Sequence, residues 1–244
     1  MNRHPLFLLL LVLLPLTAQA QDTAEAIVAR YLRLLNIEGL PADSMLVMTT
    51  TISFHNSTDT FTMTRRYQAG EMMRVDIYKG DSLMTGLCTN GRDRYREFVH
   101  MVGWWVDQSP ETFERDMQAY DFRGPLHHWR ERGITLAYEG VTTYKGQRMQ
   151  VVKSVQEKHF NRHYLFEEGS GLLVAVLEDN EVPDKRREFP LRGHPIDYKI
   201  THEYLPVGAS LLPTQESFMR NEVLTVMEST VHFEPRNVLL FNQD

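Results

Sequence analysis

Between residues 44 and 233 the chain is written mostly as short segments in which apolar and polar side chains alternate, separated by Gly- and Asn-containing turns. Alternation with period two marks strands with one buried face. Turns this short join only antiparallel neighbours. Met48, Ile52 and Phe54 point one way, and Thr49, Thr51, Ser53 and His55 point the other. Segments 61–67, 72–78, 82–89 and 95–99 repeat the rhythm, with Lys79-Gly80-Asp81 and Asn90-Gly91 as turns. It resumes at 135–144, 147–157, 160–167 and 172–178, turned by Lys145-Gly146 and Glu168-Gly169-Ser170-Gly171, and ends with 196–204, 215–220 and 222–233.

Three stretches depart from this pattern. Residues 23–35 carry Ala24, Ile27, Val28, Tyr31, Leu32 and Leu35 at helical spacing behind a capping Thr23, and Gly39 and Pro41 follow as terminators. Ser109, Pro110 and Glu111 read as cap, first position and acidic first turn of a helix over 110–120. After Gly124-Pro125, residues 126–132 predict a further short helix ended by Gly133. Residues 181–194 are polar and proline-containing, and read as a loop. The sum is an α+β protein built on one large antiparallel sheet, with an N-terminal helix and two central ones. A sheet of about ten or more strands tends to curl. Helices laid on its concave side leave room for an apolar cavity.

The N-terminus reads as an address. Arg3 and His4 precede an apolar run at 6–16, and Ala18-x-Ala20 supplies small residues at a cleavage spacing. The run is short for a membrane span. Residues 1–20 are therefore predicted to be a cleaved export signal and 21–244 a single domain. Cleavage would expose Gln21 and not a cysteine, so no lipid anchor is indicated. Cys88 is the only cysteine, which excludes an internal disulfide; within an apolar stretch it reads as a small core residue, not a nucleophile. The formal net charge of −6 argues against a nucleic-acid partner.

Several stretches, taken in order, resemble the LolA-like family of exported proteins, which includes carriers of outer-membrane lipoproteins. The amphipathic start Ala24-Glu25-Ala26-Ile27-Val28-Ala29-Arg30-Tyr31 follows directly on the export signal. Gly70-Glu71-Met72-Met73-Arg74-Val75-Asp76 is similar to the family's third-strand Pro-x-x-x-Arg stretch, with Gly70 where proline is common. Thr89-Asn90-Gly91-Arg92-Asp93-Arg94-Tyr95 resembles its Asp-Gly-Lys hairpin, and Tyr144-Lys145-Gly146-Gln147-Arg148-Met149-Gln150-Val151 its mid-chain hairpin. Residues 164–173 resemble the strand, acidic-glycine turn and Gly-Leu-Leu that follow. The resemblance implies an incomplete β-barrel, open on one side, whose helices lid an apolar cavity for acyl chains. It implies a periplasmic location and no catalytic residue, metal or cofactor. The chain departs from the simplest carriers in its length and in the helical insertion 108–133.

The expected cavity lining is Met48, Ile52, Phe54, Met63, Met73, Val75, Ile77 and Trp104. Methionine is flexible and suits surfaces that accept varied apolar partners, though it also fills irregular cores. Of the adjacent Trp104 and Trp105, at most one can face a cavity. Arg74, carried over from the resemblance, alternates against Met73, Val75 and Ile77. It is a contact for a ligand head group or a lid helix, or else a surface arginine or one paired with Asp76. His127-His128 and His159-x-x-x-His163 invite a metal reading, but four residues along a strand span about 13 Å, too far to share an ion. Ser170 is a turn serine rather than a nucleophile elbow. The expected function is a non-catalytic, monomeric carrier or sensor for the acyl chains of lipid or lipoprotein, with envelope membrane proteins as further partners. The alternatives are an envelope protein–protein interaction module with the same fold, and an exported hydrolase of unrecognised type.

Overall fold

The computed structural model describes residues 23–36, 39, 41–69, 72–110, 112–113, 120–121, 123–124, 126–156, 159–179, 197–220 and 223–241. The predicted export signal and the polar loop at 181–194 lie outside them. No helix among the described residues is long and apolar enough to cross a membrane.

Thirteen strands form one antiparallel sheet in the order β6-β5-β4-β3-β2-β1-β13-β12-β11-β10-β9-β8-β7. They are β1 Ser44–Phe54, β2 Thr60–Gln68, β3 Met72–Lys79, β4 Ser82–Thr89, β5 Tyr95–Val99, β6 Trp104–Asp107, β7 Thr135–Tyr144, β8 Gln147–Gln156, β9 His159–Glu167, β10 Leu173–Asp179, β11 Asp197–Val207, β12 Ser210–Arg220 and β13 Val223–Pro235. Every neighbour is sequential except one. β1 pairs with β13 along its whole length, from Ser44 opposite Pro235 to Phe54 opposite Thr225. The sheet is open, because β6 and β7 are its two edges. A short 3-10 turn, Val238–Phe241, follows the last strand.

Turn chemistry fixes the register. Lys145 and Gly146 both have positive φ, 49° and 81°, as a two-residue hairpin of matching twist requires. The β11–β12 connection differs from expectation. Both strands run on to a tight turn at Gly208 and Ala209, where the sequence pattern had stopped at Tyr204 and restarted at Gln215. Pro206 and Pro213 lie within the strands.

Residues 23–35 form α1, and its stripe Ala24, Ile27, Val28, Tyr31 and Leu35 is buried as predicted. Asn36, at φ 43°, ends it in the left-handed conformation before Gly39 is reached. At the second predicted helix, the Thr112 amide donates to Ser109 Oγ at 3.3 Å and the Phe113 amide to the Ser109 carbonyl at 3.0 Å. Residues 114–119 lie outside the described part. The third predicted helix, 126–132, is instead a run of turns. His128 takes φ 53°, which a continuous right-handed helix does not allow.

Contacts divide the chain into two compact units, one of residues 1–34 and 128–198, the other of 35–127 and 199–244. In the first, Arg30 of α1 donates to the carbonyls of Glu168 at 3.3 Å and Gly169 at 2.5 Å, and Tyr31 meets the ring of Phe166 at 5.6 Å. Tyr164, Leu165 and Phe166 of β9 are buried on both faces of the strand. His163 contacts Glu139 at 3.1 Å. The Ser170 hydroxyl donates to Glu167 at 2.5 Å and accepts the Leu172 amide at 3.1 Å, a turn-building role.

Candidate functional site

The second unit holds the residues singled out in the sequence. Strand register sorts them. Ile52 lies opposite Phe61 and Met227, Met63 opposite Ile77, Arg65 opposite Val75, Tyr67 opposite Met73 and Val75 opposite Leu87. Paired residues share a face. Continuing through β4, β5 and β6, Ile77 pairs with Thr85, Thr85 with Val99 and Val99 with Trp104. All eight expected lining residues therefore lie on one face of the sheet, here called the methionine face, and Arg74 lies on the other.

The methionine face carries a cluster of Met63, Met73, Val75, Leu87, Phe113 and Met227, with Ile52, Ile77, Tyr95, Tyr120 and Phe218 packed around it. Met48 is also buried. Phe54 sits at the end of β1, edge-on to Phe61 at 5.9 Å. Trp104 stands apart from the cluster on edge strand β6, with 62% of its surface exposed. Phe113 and Tyr120 come from the insertion, so the chain itself covers this face.

Within this apolar surface lies a polar group that the sequence reading passed over. Arg65 is only 5% exposed. Its Nη2 donates to Thr50 Oγ1 at 3.0 Å and to Met48 Sδ at 2.7 Å, and its Nη1 reaches the Tyr120 carbonyl at 3.4 Å. Nε has no partner. Burial pushes the guanidinium down from its ordinary value, and the charges of Glu216 and Asp121 oppose that shift. Those two acids have partners of their own. Lys199 Nζ lies 2.5 Å from Glu216 Oε1, and Arg123 Nε lies 2.9 Å from Asp121 Oδ1. Arg123 also reaches His127 Nε2 at 2.8 Å. Thr214 Oγ1, in phase with Glu216 on β12, is buried without a partner among the described residues. A signal for Arg65 existed: Phe61-x-Met63-x-Arg65-x-Tyr67 places an arginine in the apolar phase of a strand.

The opposite face is closed. Asp76, 1% exposed, accepts from Arg66 Nη1 at 2.7 Å and Arg74 Nε at 2.9 Å. Arg74 Nη1 donates to the Leu240 carbonyl at 3.0 Å, and its guanidinium lies 5.0 Å from the Trp105 ring centre. Gly86 makes room for that ring: a Cβ there would lie 2.7 Å from Trp105 Cη2. The 3-10 turn seals the face, with Phe241 and Leu240 packed on Met45, Val47 and Cys88. The Asn237 amide donates to Gln68 Oε1 at 3.2 Å. Arg74 is thus a buried arginine paired with Asp76 that holds the C-terminal turn. Cys88 is buried, as expected for a core residue. No cluster of three or more potential metal-ligating side chains occurs among the described residues.

No family model and no curated protein sequence matches the chain. Solved structures do. The LolA superfamily protein NE2245 from Nitrosomonas europaea aligns over 88% of this chain and 94% of its own, with TM-score 0.56 and 11% identity. The fold is LolA-like. A DUF1329 family protein from Desulfovibrio piger aligns over 87% of this chain and 92% of its own, with TM-score 0.55 and 11% identity. A putative outer membrane lipoprotein-sorting protein domain from Vibrio parahaemolyticus aligns over 89% and 93%, with TM-score 0.55 and 8% identity. At these identities the likeness is one of fold, and it meets the resemblance that the hairpin order carried in the sequence. Within the LolA-like fold of this chain, both faces of this part of the sheet are covered by the chain itself, the methionine face by Phe113 and Tyr120 and the Arg74 face by the C-terminal turn.

Proposed function

We propose that this chain is an exported, periplasmic, non-catalytic carrier or sensor that takes acyl chains of lipid or lipoprotein onto the methionine face. One observation supports this reading above the others: the buried methionines Met48, Met63, Met73 and Met227 share one face of a LolA-like sheet. Unbranched thioether side chains re-pack around varied shapes more readily than branched ones. Each buried CH₂ of a ligand contributes about 0.8 kcal/mol, so an acyl chain of ordinary length supplies ample driving force. Phe113 and Tyr120 lie on this face, and a ligand entering there displaces their side chains. The single-domain span 21–244 and the cleaved signal 1–20 belong to the same proposal.

Native mass spectrometry of the chain isolated from an envelope fraction, before and after organic extraction, tests it. An extractable apolar mass at about one per chain is the expected result, as is binding of a neutral apolar dye that Ile52→Glu abolishes without unfolding the protein. Rejection of both added lipids and dye by the folded chain would leave the second reading, a protein-interaction module in which Phe113 and Tyr120 are permanent filling. That alternative draws on the near-complete burial of Phe113 in the cluster.

A further inference from the structure

Resting on the reading above, we propose that Arg65 anchors the head of the ligand, and that the ligand is an alkyl chain ending in a free carboxylate. Three features of the structure lead there. Arg65 is a buried guanidinium with no carboxylate in salt-bridge contact among the described residues, and it stands between Met63 and Tyr67 on the apolar phase of β2. The acids whose charges it feels are already matched, Glu216 by Lys199 and Asp121 by Arg123. Among these groups one positive charge is left over. An isolated charge in such a place is costly, and a single negative charge on a ligand neutralises it.

The geometry of the free edge matches a carboxylate. Nε–H and the adjacent Nη2–H of an arginine run parallel and accept a carboxylate in a two-pronged pair. Here Nε is unpartnered, and Nη2 spends one hydrogen on the Met48 thioether, a weak acceptor on a flexible side chain. A carboxylate on this edge pairs with Nε–H and takes the place of one of the two contacts that Nη2 now makes, of which the thioether is the weaker. Thr50 Oγ1, the other, is held in turn by the Ser229 hydroxyl at 2.8 Å. The alkyl tail then runs along Met63, Val75 and Ile77, which share the face with Arg65.

The test compares heads on one tail. Delipidated protein is titrated with oleate, methyl oleate and oleyl phosphate. Oleate is expected to bind about tenfold or more tightly than its ester, the size of a charge-assisted hydrogen bond. Arg65→Met should bring that ratio close to one, and Arg65→Lys, which keeps the charge and loses the fork, should give an intermediate ratio. If Arg65→Met fails to fold, the ratio in the unaltered protein and in Arg65→Lys still decides. Equal affinity for oleate and ester overturns the anchor but leaves the acyl-chain reading standing. A ratio unchanged in Arg65→Met does the same. Tighter binding of oleyl phosphate than of oleate overturns the carboxylate. Binding of none of the three overturns both readings.

Discussion

Arg65 and Arg74 stand on adjacent strands and face opposite ways. Both are buried, at 5% and 8% exposure, yet their surroundings differ in kind. Arg74 has a carboxylate, a carbonyl and an aromatic ring, all supplied by the chain. Arg65 has a hydroxyl, a thioether, one long contact to a carbonyl and an idle Nε. A buried arginine fully served by its own chain is architecture. One left partly unserved on an apolar, methionine-rich face carries a cost that the proposed ligand head would remove.

The sharpest way to break the comparison is to remove Asp76. Asp76→Ala leaves Arg66 and Arg74 facing each other without their shared carboxylate, and should cost about 3–5 kcal/mol in urea unfolding. A loss under about 1 kcal/mol would mean that water serves the two arginines and the face is not sealed. Next come the arginines themselves. Arg74→Met strands Asp76 with Arg66 alone and frees the Leu240 carbonyl, so a loss of about 2–3 kcal/mol is expected. Arg65→Met strands no unpaired acid, and its stability should stay within about 1 kcal/mol of the parent or rise. Equal losses from the two substitutions would remove the distinction on which the site rests.

Much of this contrast could be read from the sequence, and the reason is the period of a strand. Met73-Arg74-Val75-Asp76-Ile77 declares two faces at once, and so places Arg74 beside Asp76 and opposite the apolar residues. The residues expected to line a cavity, from Met48 to Ile77, share one face for the same reason. Two things were hidden. Whether a strand residue is covered depends on distant chain, and nothing periodic in Val238-Leu239-Leu240-Phe241 marks it as the plug over Cys88. Trp104, expected as lining, is in the right phase but on an edge strand, and 62% of its surface is exposed. The insertion was misread at 126–132 because its composition favours helix while His128 adopts a left-handed turn, which single-residue propensity does not report.

Smaller perturbations sharpen the picture of the sealed face. Gly86→Ala puts a methyl group 2.7 Å from the Trp105 ring. Ring and Arg74 must then shift together, and a cost of about 1–3 kcal/mol is expected. The indole emission should move to the red as Trp105 gains water. An unshifted spectrum with unchanged stability would show that the ring has room to yield.

The finest test uses Cys88 as a reporter of the plug. Burial pushes its thiol up from 9.0 to about 11, with the Arg74 charge opposing. The folded chain therefore holds the proton more tightly than the unfolded one. Its contribution to stability is complete below pH 9 and is lost as the pH rises towards 11. Other groups titrate in that range, so the quantity to follow is the stability gap between the parent and Cys88→Ala. That gap should narrow steadily from pH 9 to 11 in urea unfolding. Ending the chain at Arg236 removes Leu240 and Phe241, whose carbonyls lie 3.9 and 3.6 Å from the sulfur. In that shortened chain the thiol should react faster with an aromatic disulfide at neutral pH, because the thiolate is easier to form and to reach. Equal reaction rates with and without the turn would mean that the turn does not seal this face, and the asymmetry between the two sides of the sheet would then rest on the Asp76 pairings alone.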